Sequence, residues 1–521
     1  MESALHTPRF YITTAIDYPN AAPHIGTALE KVGADVMARF RRMQGMDTLF
    51  SMGLDENSQH VLRAAEEANV SARAWVDEMD EVFQQAWASL NISYDRWIRT
   101  TEEVHTEASV EIFRRSLERG DIYKGTYSGW YCPNCNTFYD DDDLVEGRCP
   151  YHPTLTPEWL DEENYFFALS RYQGRLERHI EANPDFIVPT TRRNEVLGWL
   201  RDGLRDFSTS RLVRNLTGER WGIAVPGDDD HVMYVWYDAL TNYLTTAGFP
   251  GDDARYGRYW PADVHVIGKD ITRFHCLYWP AMLMSAGIEP PRQVVVHGWW
   301  NLEGKPLSKT TGNVLDPGDA VAEFGTDPVR YYLMREGSWF QDGNFARANL
   351  IQRYHAELAN DLGNLLNRTV TMIGRYCEGV LPAVADSASG EREADVQRTA
   401  VSAHRDATAS LEGWEFGRAL DSIWQLVRRG NRYIDESEPW RLARDSAQRA
   451  ALETVLATAA ESLRYQATLL GPFMPATADR MLAQLGLDGV APGMWNDLRW
   501  QPDGSGRQVP GGSPLFPRLS E

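Results

Sequence analysis

Residues 10–53 read FYITTAIDYPNAAPHIGTALEKVGADVMARFRRMQGMDTLFSMG, and this stretch decides the fold. FYITTAI (10–16) is rich in β-branched and aromatic residues and predicts a buried strand. NAAPHIG follows as a turn. Leu29, Val32, Val36, Met37 and Phe40 then recur at helical spacing, with Gly45 as the stop. DTLFSMG predicts the next strand. A strand–turn–helix–strand unit of this kind belongs to parallel α/β folds.

Further strand signals lie at HVMYVWYDAL (231–240), DVHVIGKDI (263–271) and RQVVVHGWW (292–300). Between the two groups, about Tyr123 to Arg148 is rich in Gly, Asp, Cys and Tyr and reads as an inserted, loop-rich module. The α/β layer is therefore expected in two halves, at 1–118 and 231–325, around an insertion at 119–230. A connecting segment at 326–348 leads into helical periodicity at 349–485, and 486–521 is expected to be an irregular tail. The expected fold class is α/β, a Rossmann-type parallel sheet followed by an α-helical bundle.

A chain of 521 residues is too long for one ordinary core and implies several domains. Its 43% hydrophobic and 24% charged residues exclude a largely disordered chain, a collagen-like fibre and a multi-span membrane protein. The formal charge of −22 offers no globally basic surface, and no DNA partner is expected. MESALHTPRF has neither a basic n-region nor an apolar h-region, and no apolar run is long enough to span a membrane. A cytoplasmic protein is expected. Five of the 52 basic residues are lysine: Lys31, Lys124, Lys269, Lys305 and Lys309. In so lysine-poor a chain, each lysine is a candidate for work that a planar guanidinium cannot do.

The five cysteines, an odd number, do not suggest a disulfide framework. Cys132, Cys135, Cys149 and His152 instead form two close pairs bracketing a short loop. That spacing suits one tetrahedral, closed, structural Zn²⁺ per chain, holding together a module with little core of its own. Cys276 and Cys377 lie in apolar helical contexts and read as small core residues.

Two further segments carry chemistry. In YPNAAPHIGT (18–27), His24 and Gly26 fall where a strand gives way to a helix, whose unpaired N–H groups suit an anion. In GKPLSKTTGN (304–313), a flexible loop carries Lys309 and Ser308, and an ammonium there can swing onto a polyphosphate. A PHIG turn after the first strand and an SK loop after the last resemble the two signatures of class I aminoacyl-tRNA synthetases. ITTAIDYPN, GLDENSQ (53–59), EENYFF (162–167), VMYVWYDALTNYL, VIGKDITRFHCLYWPAML and GWWNLEGKPLSKTTGNVLDP narrow the resemblance to the methionyl-tRNA synthetases, from about Phe10 to about Pro475.

The resemblance implies that His24 and Gly26 contact ATP phosphates, with Thr27 at the family's final histidine. It implies a catalytic loop built on Ser308 and Lys309, with Pro306 in place of the family's first lysine, and support of that loop by Arg211. It places the ATP ribose on Asp270. It implies a methionine pocket of Ala15, Ile16, Tyr18, Asp55, Trp236, Ala239, Leu240, Tyr243, Ile271, His275 and Trp279. Asp55 would take the substrate ammonium, and the aromatic edges suit a thioether. The family's DEHG is Asp55, Glu56, Asn57 and Ser58 here. Asn364, Arg368 and Trp440 match the family's anticodon-reading residues, with stacking and edge recognition of a single-stranded loop. The expected partners are L-methionine, ATP with Mg²⁺, and methionine tRNA, and the expected state is a monomer. The leading expectation is an ATP-dependent methionine–tRNA ligase. Two alternatives stay open: a paralogue activating an amino acid for a non-tRNA acceptor, and a non-catalytic tRNA-binding protein.

Overall fold

The computed structural model describes residues 7–132, 137–139, 141–150, 155–213, 220–306, 313–382, 390–491, 493–502 and 506–519. Six parallel strands form the main sheet: β1 (Arg9–Thr14), β2 (Asp47–Leu54), β3 (Arg96–Arg99), β4 (Ile187–Val188), β5 (Val264–Gly268) and β6 (Val294–His297). Their spatial order is β3-β2-β1-β5-β6-β4. Phe10 and Ile12 face one apolar layer and Tyr11 faces the other, so β1 is covered on both faces. Near-continuous hydrophobic strands are what such burial requires.

Helix α1 (Ile25–Met43) connects β1 to β2. Arg41 and Arg42 lie in its last turn, where cations suit the helix dipole. Gly45 then takes a positive φ of 83° and reverses the chain. The other face of α1 meets the C-terminal helices, whose long members are Glu391–Glu412, Phe416–Ser437 and Arg449–Leu470. Beyond Gln484 the described residues form no helix or named strand, yet Trp495, Leu498, Val509, Leu515 and Phe516 are buried in the same core. Trp495 sits edge-on to Phe40 of α1, with ring centroids 5.0 Å apart.

Two sequence expectations are corrected. The stretch after Tyr123 is not loop-rich at its start. Ile122–Cys132 is an eleven-residue strand paired antiparallel with Glu158–Phe167. Thr126, Tyr127, Trp130 and Tyr131 are strand formers, and the intervening glycines masked them. The run 231–240 is not one strand either. Asp228–Met233 is extended, and Val235–Ala239 is helical. A short apolar run does not by itself distinguish the two states.

Candidate active site

In an open parallel sheet, ligands bind beyond the strand ends where the connection order reverses. Here that point lies between β1 and β5, with β2 and β6 outside them. Ala15, Ile16 and Tyr18 follow β1, Asp55 follows β2, and Asp270 and Ile271 follow β5.

The switch from strand to helix at Tyr234 shapes the pocket wall. Trp236 and Ala239 lie on the helix Val235–Ala239, Leu240 follows it, and Tyr243 is in the next helix, Asn242–Ala247. They enclose a cleft of about 270 Å³, open to solvent, with Ala15, Ile16, Tyr18, Asp55, Asn242 and His275. Trp236 stacks on Phe274 at 4.0 Å and meets Tyr18 edge-on at 6.3 Å. Ile271 and Trp279 stand behind this lining. Trp279 is fully buried, meets Tyr243 edge-on at 6.0 Å, and donates to His265 Nε2 at 3.3 Å.

Burial pushes the His275 pKa down to about 4, so the ring is neutral. Its Nδ1–H donates to the Ile271 carbonyl at 3.0 Å. Its Nε2 therefore accepts from the Tyr243 hydroxyl at 2.7 Å. The pair is a fixed polar edge in an otherwise aromatic wall.

The base of the cleft is acidic. Asp55 and Asp238 are both buried, and each keeps one carboxylate oxygen with no hydrogen-bond partner among the described residues. Burial, then the like charge of Asp238, holds the Asp55 carboxyl well above its ordinary range. Burial alone does the same to Asp238, opposed by the Asn57 amide, which donates at 3.0 Å. Two buried, incompletely satisfied carboxyls create a strong demand for a cation. An ammonium group entering the cleft meets that demand.

The four residues at the family's DEHG, of which Asn57 and Ser58 depart from it, each have a contact. Asp55 faces the cleft. Glu56 accepts from Arg99 at 2.6 Å and from the Thr101 hydroxyl. Asn57 holds Asp238 and the Thr100 carbonyl. Ser58 caps the helix Gln59–Glu67 through the Val61 N–H.

On the other side of the switch point, His24 is the N-cap of α1. Its Nδ1 accepts from the N–H groups of Gly26 and Thr27 at 3.2 and 3.3 Å. The proton of the neutral ring is thus on Nε2, which leaves Nε2–H as the donor. The Thr27 hydroxyl donates to the His24 carbonyl at 2.8 Å and accepts from its N–H at 3.0 Å. Thr27 therefore closes a capping box on His24 and does not present its hydroxyl as a further donor.

Asp270 accepts from the Trp299 indole at 3.2 Å. A Cβ on Gly268 would lie 2.7 Å from the Asp270 carboxylate and would push that side chain aside. Lys269 is paired with Asp342 at 2.7 Å and lies over the Trp299 ring at 4.4 Å. Arg211 is buried, bonds the Ser210 carbonyl at 2.7 Å, and lies over the Tyr234 ring at 4.3 Å. Ser308 and Lys309 lie outside the described residues.

Cys132 and Cys149 are both buried; Cys135 and His152 lie outside the described residues. Asn364 and Trp440 are exposed and Arg368 is partly so, with its guanidinium 6.0 Å from the Trp440 ring centroid and 2.7 Å from Asp435. Sequence reasoning missed Asn242, which lines the cleft, and Asp238, which faces no solvent. Their neighbours Trp236, Ala239, Leu240 and Tyr243 were expected there, and these two were not. Lys31 was singled out by the scarcity of lysine, without a role. No described helix is long and apolar enough to cross a membrane.

This sheet order, with an aromatic cleft on one side of the switch point and a histidine-capped helix on the other, is that of a doubly wound nucleotide-binding α/β fold. The family model for class I tRNA synthetases (M) matches residues 10–156 and 153–370, and the anticodon-binding domain of methionyl tRNA ligase matches 382–511. Methionine–tRNA ligase of Caldanaerobacter subterraneus subsp. tengcongensis is 45% identical over 98% of this chain and 79% of its own length. That of Rickettsia bellii is 43% identical over 92% of this chain and 93% of its own. Mycobacterium tuberculosis methionyl-tRNA synthetase in complex with methionyl-adenylate superposes with a TM-score of 0.92 at 40% identity, covering 98% of this chain and 100% of that one. The chain belongs to the methionyl-tRNA synthetases, a family of methionine–tRNA ligases.

Proposed function

We propose that this chain activates L-methionine with ATP at the β1–β5 crevice and passes the methionyl group to the 3′ end of methionine tRNA. The observation that carries the site assignment is the pair of under-satisfied buried carboxyls beneath an aromatic cleft. Asp55 takes the substrate ammonium, and Asp238 raises the demand for it. Trp236, Tyr243 and Trp279, with Ala15, Ile16, Tyr18, Ala239, Leu240, Ile271 and His275, enclose the thioether chain.

On the nucleotide side, the Nε2–H of His24 and the N-terminus of α1 at Gly26 face the phosphates. Asp270 accepts from the ribose hydroxyls, which displace the Trp299 indole from it. Lys309, with Ser308, closes on the polyphosphate, and Arg211 supports that loop. The methionine carboxylate attacks the α-phosphorus, pyrophosphate leaves, and the adenylate then acylates the terminal ribose of tRNA. Position and charge stabilisation suffice, with no covalent enzyme intermediate. Mg²⁺ bound with ATP supplies neutralisation of phosphate charge.

Asn364, Arg368 and Trp440 read the anticodon. Their exposure and the closeness of Arg368 to Trp440 support a stacking platform with a charged edge. Cys132, Cys135, Cys149 and His152 hold one structural Zn²⁺, supported by their spacing and by the burial of Cys132 and Cys149. This reading carries with it the cytoplasm as compartment and a single chain as the working unit. Thr27, Asn57 and Ser58 each have a local structural contact, and the paralogue reading keeps Pro306, in place of the family's first lysine, as its motive.

Methionine-dependent ATP–pyrophosphate exchange tests the site. Exchange followed by charging of methionine tRNA is expected. Absence of exchange would overturn the assignment, and exchange without charging would return the paralogue.

A further inference from the structure

We infer that Lys31, on the first helix, is a positioning residue for amino-acid activation: its buried ammonium holds the segment Thr14–Asp17 that forms one wall of the methionine cleft. This rests on the assignment of that cleft to methionine.

The Lys31 side chain has no exposure to solvent. Its Nζ donates to the Ala15 carbonyl at 2.7 Å, to Glu30 Oε1 at 2.8 Å and to Thr14 Oγ1 at 3.2 Å. Asp17 Oδ2 stands 3.2 Å away as an ion pair. Three N–H bonds face four acceptors, so the ammonium is fully committed and cannot reach substrate. It acts through what it holds.

What it holds is the crossover from β1 into the turn. Ala15 and Ile16 line the cleft. Asp17 is clipped to the end of β2, donating its N–H to the Gly53 carbonyl at 3.0 Å and accepting from the Asp55 N–H at 2.9 Å. Asp17 is therefore the backbone neighbour of the carboxylate assigned to the substrate ammonium. Glu30 carries the network the other way, accepting from His297 Nε2 at 3.0 Å at the end of β6. One cation thus ties together the ends of strands on both sides of the switch point.

The charge matters as well as the bonds. Without Lys31, the carboxylates of Asp17, part-buried, and Glu30, buried, would lie beside a cleft that must receive the methionine carboxylate. Arginine is not an equivalent: its planar fork cannot converge three donors on acceptors from one strand end and its own helix. That explains a lysine retained at this position in a chain with only five.

The test compares the wild type with Lys31→Met, which keeps the aliphatic stem, and Lys31→Arg. Steady-state exchange is measured with methionine and ATP varied separately, alongside urea unfolding midpoints. The KM for methionine should rise and kcat fall, with a combined loss of about 100-fold in kcat/KM for methionine, as expected for a misplacement near 1 Å. The KM for ATP should change far less, and Lys31→Arg should not rescue. A lowered unfolding midpoint with wild-type KM and kcat would overturn the proposal and leave Lys31 a stabiliser only. Should Lys31→Met not fold, Lys31→Arg decides: wild-type kinetics there overturn the proposal, and a raised methionine KM supports it. No exchange in the wild type would overturn the assignment of the cleft and this inference with it.

Discussion

Arg330 joins the C-terminal helices to the catalytic helix, and replacing it by methionine measures that joint. Its guanidinium is fully buried and pairs with Asp35 of α1 at 2.7 Å. It also donates to the carbonyls of Leu90, Pro472 and Phe473 at 3.0–3.1 Å. Removing one partner of a buried pair costs about 3–5 kcal/mol. Asp35 keeps Arg39 at 2.8 Å and the Ser93 N–H at 2.7 Å, so the lower end, about 3 kcal/mol, is expected. A second route gives a similar size. The partners of Asp35 lower its pKa from 3.8 to about 2. At about 1.4 kcal/mol per pH unit, that is worth about 2 kcal/mol for the whole cluster.

The sign follows from the depressed value. The contribution is complete above the ordinary carboxylate pKa and is lost as the pH falls through that of the folded state. Burial opposes the charge on Arg330, but a guanidinium stays protonated far above neutrality, so Asp35 carries the pH dependence. Guanidinium unfolding followed by tryptophan fluorescence should show Arg330→Met well below the wild type at neutral pH. The gap should hold in mildly acidic buffer and shrink only below about pH 4. Equal midpoints at neutral pH would refute the reasoning.

The KM for methionine should fall as the pH rises, because burial and the like charge of Asp238 disfavour the ionised Asp55 that takes the ammonium; Asp238→Asn should flatten that dependence, read from exchange kinetics across a pH series. Trp440→Ala should weaken tRNA binding by about 1–3 kcal/mol if the indole stacks on a base, and leave exchange unchanged; equal loss in both assays would contradict the anticodon role. Elemental analysis should find one zinc per chain, lost in Cys149→Ala; full zinc content in that variant would remove Cys149 from the ligand set.

Much of this protein was legible from sequence because period and chemistry coincide there. The strand and helix of residues 10–43 are encoded by local apolar spacing, and His24 and Gly26 fall at the junction where a helix N-terminus must form. Misreadings came where local signals were degenerate. The run 231–240 has the apolar content of a strand, yet Val235–Ala239 is a helix that packs against the helix Glu103–Glu118. Trp236, Ala239, Leu240 and Tyr243 line the cleft.

Sequence alone determined the fold class, the family and the identity of most residues around the crevice. Only the tertiary structure decided how they are used. It placed the Thr27 hydroxyl in a cap, spent Asn57 on Asp238, and buried Lys31 beneath the cleft. The physical reason is that spacing along a chain encodes local geometry, whereas the state of a buried charge depends on partners brought from distant strands. Lys31 and Asp17, or Asp55 and Asp238, acquire their meaning only when the sheet closes around them.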